Sequence, residues 1–250
     1  MAETVTGHSA LRDRVAIALD FPMREEAEAL LRRWSDREKP YIKVGMQLFY
    51  TAGPDWVKSL VHDGYSVFLD LKLHDIPHTV AGGVASVARL GVKLLTLHAA
   101  GGSQMMKAAR EAAVEAAGEE RPRLLAVTQL TSTDDRMLNE ELAIPGTVRD
   151  SVLNLAHLAK QAEMDGIVCS GEEAAWIKGK ISTELLTVTP GIRLEGEATG
   201  DQKRVMTPEA AIDGGSDLLV VGRPITRAED PVAAYETILE RVERAGRKQI

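Results

Sequence analysis

The sequence predicts a single-domain α/β protein folded as a closed (β/α)8 barrel, the TIM-barrel architecture. Three observations predict it. Short runs rich in Val, Ile and Leu recur along the 250 residues, each followed by a segment with helical spacing. No linker or composition break interrupts that alternation. Polar residues gather at the carboxyl ends of the runs, where this architecture keeps its chemistry.

The first strand is expected over 14–20, ending at Asp20, and Ala27, Leu30, Leu31 and Trp34 form the stripe of the helix that follows. A second strand over 41–45 carries Lys43, and Thr51 followed by Pro54 signals a helix start. The third, over 66–72, carries Asp70 and Lys72, and Pro77-His78-Thr79 opens the next helix. Strand four, 93–98, ends at His98, read as a hydrogen-bonded supporting residue. Met105 and Met106 then pack a helix on the barrel. Strand five, 123–128, leads into the stretch from Thr128 to Thr131. Val148, Val152, Leu155, Ala159 and Ala162 mark the helix after it. Strand six, 166–169, contains Cys169; strand seven, 185–189, runs into Pro190 to Arg193. Thr207-Pro208 starts a helix, strand eight spans 217–221 before Gly222 and Arg223, and Asp230-Pro231 opens the last helix. Glu236 to Arg247 reads as a solvated helix face. Residues 1–12 are expected to be a flexible leader and 13–250 the barrel. An open doubly wound sheet is the competing topology, but the first strand ends Leu19-Asp20-Phe21-Pro22, without a glycine-rich fingerprint.

Composition narrows the partners. Apolar residues at 44% supply a substantial core, while aromatics at 4% leave little for stacking on bases. A net charge of −7 argues against nucleic acid and anionic membranes. Cys169 is the one cysteine, which excludes an intrachain disulfide and a cysteine-based zinc site. Its apolar neighbours make it a small buried hydrophobe. No run reaches the ~18 apolar residues of a membrane span, and residues 1–13 lack a signal-peptide core, so a cytoplasmic location is expected.

Residues 69–78, Leu-Asp-Leu-Lys-Leu-His-Asp-Ile-Pro-His, are the most informative segment. Asp70 and Lys72 alternate with leucines, so strand geometry turns both charges to one face. A charge on a core strand is costly unless paired or used. An ion pair of purely structural use is the plain alternative. Val221-Gly222-Arg223 and Thr189-Pro190-Gly191-Ile192-Arg193 follow the last two strands, where this architecture binds phosphate. Arg223 pairing with Glu229 is the alternative there. Residues 191–206 lack either period and read as a lid carrying Gln202, or as a plain surface loop.

Asp70-x-Lys72-x-x-Asp75, with Asp20, Tyr41-Ile42-Lys43-Val44-Gly45, Thr189 to Arg193, Gly200-Asp201-Gln202 and Val221-Gly222-Arg223, resembles the orotidine 5′-phosphate decarboxylase family from about residue 14 to residue 240. The resemblance implies decarboxylation of orotidine 5′-phosphate to uridine 5′-phosphate (UMP) and CO2, without cofactor or metal. It makes Lys72 the proton donor in a Lys43-Asp70-Lys72-Asp75 array. It implies that Asp20, Lys43 and Thr79 bind ribose hydroxyls, and that Thr131 lies over the pyrimidine. Arg193, Gln202, Gly222 and Arg223 would hold the phosphate, and Ile76 and Pro190 would also bind substrate. It further implies a homodimer in which Asp75, Ile76 and Thr79 reach the other subunit's site. The rival is a Mg2+-dependent sugar-phosphate decarboxylase or synthase on the same barrel; a barrel that only senses a phosphorylated metabolite is a second.

Overall fold

Eight parallel strands close into one barrel in strict sequence order, the last pairing with the first. The computed structural model describes residues 11–195 and 205–246. The strands are β1 (Val15–Ala18), β2 (Tyr41–Gly45), β3 (Val67–Leu73), β4 (Leu94–His98), β5 (Arg123–Val127), β6 (Gly166–Val168), β7 (Leu186–Thr189) and β8 (Leu218–Val221). All eight expected strands are present, with ends moved by a residue or two, as strand ends commonly are.

Burial on both faces explains why the strands read as unbroken apolar runs. Alternate residues face inward: Ala16, Ala18, Tyr41, Phe68, Leu94, Leu125, Val188, Leu218 and Val220 form one cluster inside the barrel. Their neighbours Val15, Ile17, Ile42, Val44, Leu69 and Leu95 join a second cluster beneath the helices. Period two then fixes the site. Lys43, Asp70 and Thr96 continue the inward rows begun by Tyr41, Phe68 and Leu94.

The surrounding helices are α1 (Arg24–Leu31), α2 (Met46–His62), α3 (Pro77–Ala88), α4 (Gly102–Ala117), α5 (Val148–Gln161), α6 (Gly171–Lys180), α7 (Pro208–Asp213), α8 (Arg223–Thr226) and α9 (Pro231–Gly246). Ala27, Leu30 and Leu31 are buried on α1, and Trp34 is buried on the 3-10 turn after it. Val152, Leu155 and Ala159 are buried on α5 as the stripe predicts, and Met105 and Met106 are fully buried on α4.

The start signals act as caps. Thr207 accepts from the Ala210 N–H, and Asp230 accepts from the Val232 and Ala233 N–H groups. The Thr51/Pro54 signal marks a break rather than a beginning. Helix α2 starts at Met46, and Gly53, at φ 78°, divides it so that Pro54 opens the second part. The last helix is less solvated than its charges suggest, since Tyr235, Ile238, Leu239 and Val242 are buried. Near the chain start, Leu11 packs partly on the core and Arg12 pairs with Glu38 and Glu236. Residues 1–10 of the expected leader lie outside the described residues. No helix among the described residues is long and apolar enough to cross a membrane.

Candidate active site

The carboxyl ends of the strands surround a cavity of about 800 Å3, within the usual range for small-ligand sites. Asp20, Lys43, Asp70, Lys72, Thr131, Pro190, Arg193, Gly222 and Arg223 all line it. Phe68, Val127, Val168 and Val220 supply apolar wall between them. Cys169 also lines it, with its thiol pushed far up by burial, so it stays protonated and inert at neutral pH.

Charges alternate along the floor. Lys43 Nζ donates to Asp20 Oδ1 at 2.9 Å and lies 3.7 Å from Asp70 Oδ2. Lys72 Nζ donates to both Asp70 oxygens at 2.8 Å. Each inner charge therefore has an opposite charge on either side, the condition for remaining ionised under burial. Burial alone would push the Asp70 carboxyl up. The ammonium groups of Lys43 and Lys72, with hydrogen bonds from Lys72 and Thr96, hold it below the usual carboxylate range. A Cβ at Gly45 would meet Lys43 Nζ at 3.4 Å and Asp20 Oδ1 at 3.6 Å, ordinary contacts, so this packing does not itself demand glycine there.

The β3 end departs from simple alternation. Lys72 sits in left-handed backbone, φ 52°, which a lysine rarely adopts. Leu69 pairs with Leu95 but Leu73 with Leu97, so four residues on β3 face two on β4. The irregularity is a bulge spanning Asp70 to Lys72, a device for re-aiming a side chain. Asp70 and Lys72 thus meet, but through a bulge and not through the strand period. Thr96, fully buried on β4, bridges them: it donates to Asp70 Oδ1 at 2.9 Å and accepts from the Lys72 N–H at 2.8 Å. Reasoning from the sequence passed over Thr96. Its signal was the inward row of β4, two residues beyond Leu94.

At the opposite side, Arg193 is buried and its Nη1 donates to the Ile192 carbonyl at 2.7 Å. Gly191, at φ 82°, makes the turn that leads to it. Arg193 N–H donates to Met206 O and Met206 N–H to Gly191 O, so the two ends of the expected lid are tied together at the rim. Gln202, with Gly200 and Asp201, lies outside the described residues. A Cβ at Gly222 would meet Ala18 only at 3.6 Å, an ordinary contact. The protein itself therefore does not demand glycine there, and the bare backbone faces the cavity.

Asp75, Ile76 and Thr79 stand apart from this cavity. Asp75 Oδ1 accepts from the Ile76 N–H at 2.6 Å, Asp75 and Thr79 are exposed, and Ile76 is 66% exposed. Within one chain the array is Asp20-Lys43-Asp70-Lys72, and Asp75 is not part of it. His98 differs from expectation too. Among the described residues it has a ring contact with His74, centroids 5.3 Å apart, in place of a hydrogen bond. Burial, then the neighbouring His74 and Lys72, holds its imidazole below the ordinary value.

Comparison with known proteins gives the family. A family model described as orotidine 5′-phosphate decarboxylase / HUMPS family matches residues 13–238. The protein named orotidine 5′-phosphate decarboxylase of Lactococcus lactis subsp. cremoris (strain SK11) is 52% identical over 233 residues, covering 91% of this chain and 97% of that one. Its namesake from Streptococcus thermophilus (strain CNRZ 1066) is 50% identical over 226 residues, covering 90% and 96%. The crystal structure of orotidine 5′-phosphate decarboxylase from Lactobacillus acidophilus superimposes with a TM-score of 0.83 at 42% identity, over 92% of this chain and 99% of that one. The chain belongs to the orotidine 5′-phosphate decarboxylase / HUMPS family.

Proposed function

We propose that the protein is a carboxy-lyase of pyrimidine biosynthesis that converts orotidine 5′-phosphate to UMP and CO2 without a cofactor. The observation that carries this reading is the Asp20-Lys43-Asp70-Lys72 chain on the floor of a cavity that also holds two arginines. Relatives at about half identity over nearly their full length bear the same name.

The chemistry explains why such a floor is useful. When the bond from C6 to the carboxylate breaks, its electron pair stays on C6 in the ring plane, where the π-system cannot spread it. Many decarboxylases give that pair to a cofactor. Here fixed charge takes over. The Lys72 ammonium lies beside C6, favours the developing carbanion and transfers a proton from Nζ to form the C6–H bond; solvent then returns a proton to the amine. Asp70 is the carboxylate on which the Lys72 ammonium rests. It also faces the substrate carboxylate, disfavouring that anion relative to the neutral CO2 that leaves.

The rest of the site binds and closes. Asp20 and Lys43 hold ribose hydroxyls, and Thr131 covers the pyrimidine. Arg193, Gln202, Gly222 and Arg223 hold the phosphate, the arginines through charge-assisted hydrogen bonds, and Pro190 lines the same substrate cavity. Phosphate lies remote from C6, so its binding energy serves to draw in the 191–206 segment and assemble the array. Two copies form a homodimer in which Asp75, Ile76 and Thr79 of each enter the other's cavity, extending the array to Lys43-Asp70-Lys72-Asp75. Their exposure and their separation from their own cavity favour that arrangement. A cytoplasmic location belongs to the same reading, since doubly charged nucleotides do not cross bilayers unaided.

The test is direct. Purified protein incubated with orotidine 5′-phosphate and excess chelator should deplete the substrate's pyrimidine absorbance. No change, with or without chelator, refutes the reading. Loss of absorbance only in the absence of chelator would show that the reaction needs a metal and refute the cofactor-free part of the reading.

A further inference from the structure

We infer that Thr96 is a positioning residue for the charge array, its hydroxyl holding the Asp70 carboxylate and the Lys72 backbone in the geometry the reaction uses. The inference rests on the reading above that Lys72 donates the proton.

Three observations converge on this side chain. Thr96 is fully buried and faces the barrel interior, so its hydroxyl has no access to water. That hydroxyl makes two hydrogen bonds, accepting from the Lys72 N–H at 2.8 Å and donating to Asp70 Oδ1 at 2.9 Å. A hydroxyl carries one proton. Since the amide aims its own proton at the oxygen, the Thr96 proton is directed to the carboxylate. The third observation is the bulge. Where β3 loses register with β4, Lys72 takes up φ 52°, and its N–H finds a side-chain oxygen on β4 where a regular ladder would offer a carbonyl.

One group thereby fixes both ends of the catalytic lysine. Through the amide it holds the backbone conformation from which the side chain departs. Through Asp70 Oδ1 it holds the acceptor on which Lys72 Nζ rests at 2.8 Å. A valine would fill the same volume but leave the amide unpaired and the carboxylate short of a donor, both inside the barrel. The chemistry needs Nζ within reach of one ring carbon, and small losses of position are expensive in rate.

The test compares Thr96→Val and Thr96→Ser with the parent and with Lys72→Ala, reading kcat, UMP affinity and the pH profile of kcat. Thr96→Val should lose about ten- to a hundred-fold in kcat, as for one hydrogen bond to a charged group. Its UMP affinity should be little changed. Its acid limb should move to higher pH, because Asp70 loses a donor that favours its ionised form. Thr96→Ser, which keeps the hydroxyl, should restore rate and profile. If Thr96→Val does not fold, Thr96→Cys takes its place. A valine variant with parental kcat and acid limb overturns the inference, as does a serine variant as slow as valine. The control separates the two levels: an active Lys72→Ala defeats the parent reading, whereas an inactive one beside an unperturbed Thr96→Val defeats only this inference.

Discussion

Replacing Asp70 by Asn tests the array through stability, independently of turnover. In the parent two ammonium groups and two carboxylates alternate, so the cluster is neutral. Asparagine removes one negative charge and little volume. Lys43 keeps Asp20 at 2.9 Å, but Lys72 then has no carboxylate among the described residues of its own chain. At an effective dielectric constant of 20, the lost attractions at 2.8 Å and 3.7 Å are about 6 and about 4 kcal/mol. Relief from desolvating the carboxylate offsets most of that, and breaking a buried pair by removing one partner costs about 3–5 kcal/mol. The lower figure applies here. Lys72 is 27% exposed and can turn toward water, and in the proposed dimer it also meets Asp75 of the second copy. For a chain of this size about 3 kcal/mol lowers Tm by roughly 6–12 °C. Scanning calorimetry of the parent, Asp70→Asn and Asp70→Asn/Lys72→Met should show the single variant lowest. The double variant regains part of the loss, since it removes the ammonium that has lost its carboxylate within the chain. An Asp70→Asn protein melting with the parent, or a double variant less stable than the single, refutes the electrostatic account.

Three other outcomes follow. Arg223→Ala should weaken UMP binding by about 2–3 kcal/mol, the scale of a charge-assisted pair, and calorimetric titration showing parental affinity removes Arg223 from the phosphate site. Mixing Asp75→Asn with Asp20→Asn protein should recover part of the activity that each lacks, since a mixed dimer holds one intact site; no recovery in a turnover assay contradicts the shared site. The Asp70 contribution to stability is fully present above the unfolded carboxylate value of about 3.9, because its folded value lies lower. It is lost as pH falls further, through that depressed value. Urea midpoints measured from pH 7 down to pH 2 should therefore converge for parent and Asp70→Asn only below about pH 4, and convergence already at pH 6 contradicts the assignment.

The barrel was legible because each strand is buried on both faces, which imprints an apolar run that survives without any knowledge of neighbours. The charged residues of the site were legible for the complementary reason: Lys43 and Asp70 interrupt such runs. Thr96 was not, because threonine is an ordinary strand residue. Its hydroxyl gains meaning only from the register between β3 and β4. The left-handed Lys72 was equally hidden, since a bulge is a property of a strand pair and not of one strand. The Gly53 break shows the same limit on a helix: Pro54 announced a beginning, but the chain was already helical from Met46. Asp75 is visible as a charge, but within one chain it stands apart from the cavity, and one sequence does not position the second copy proposed above.

Turnover of orotidine 5′-phosphate by Lys72→Ala, with UMP affinity measured beside it, bears most directly on the account. Loss of proton transfer alone removes about 100- to 10,000-fold in rate, and loss of the cation beside C6 removes more. UMP should still bind, since the phosphate and ribose contacts stand on other residues. A variant that decarboxylates at a rate near the parent's would show that the ammonium on the barrel floor is not the group that stabilises and protonates the carbanion.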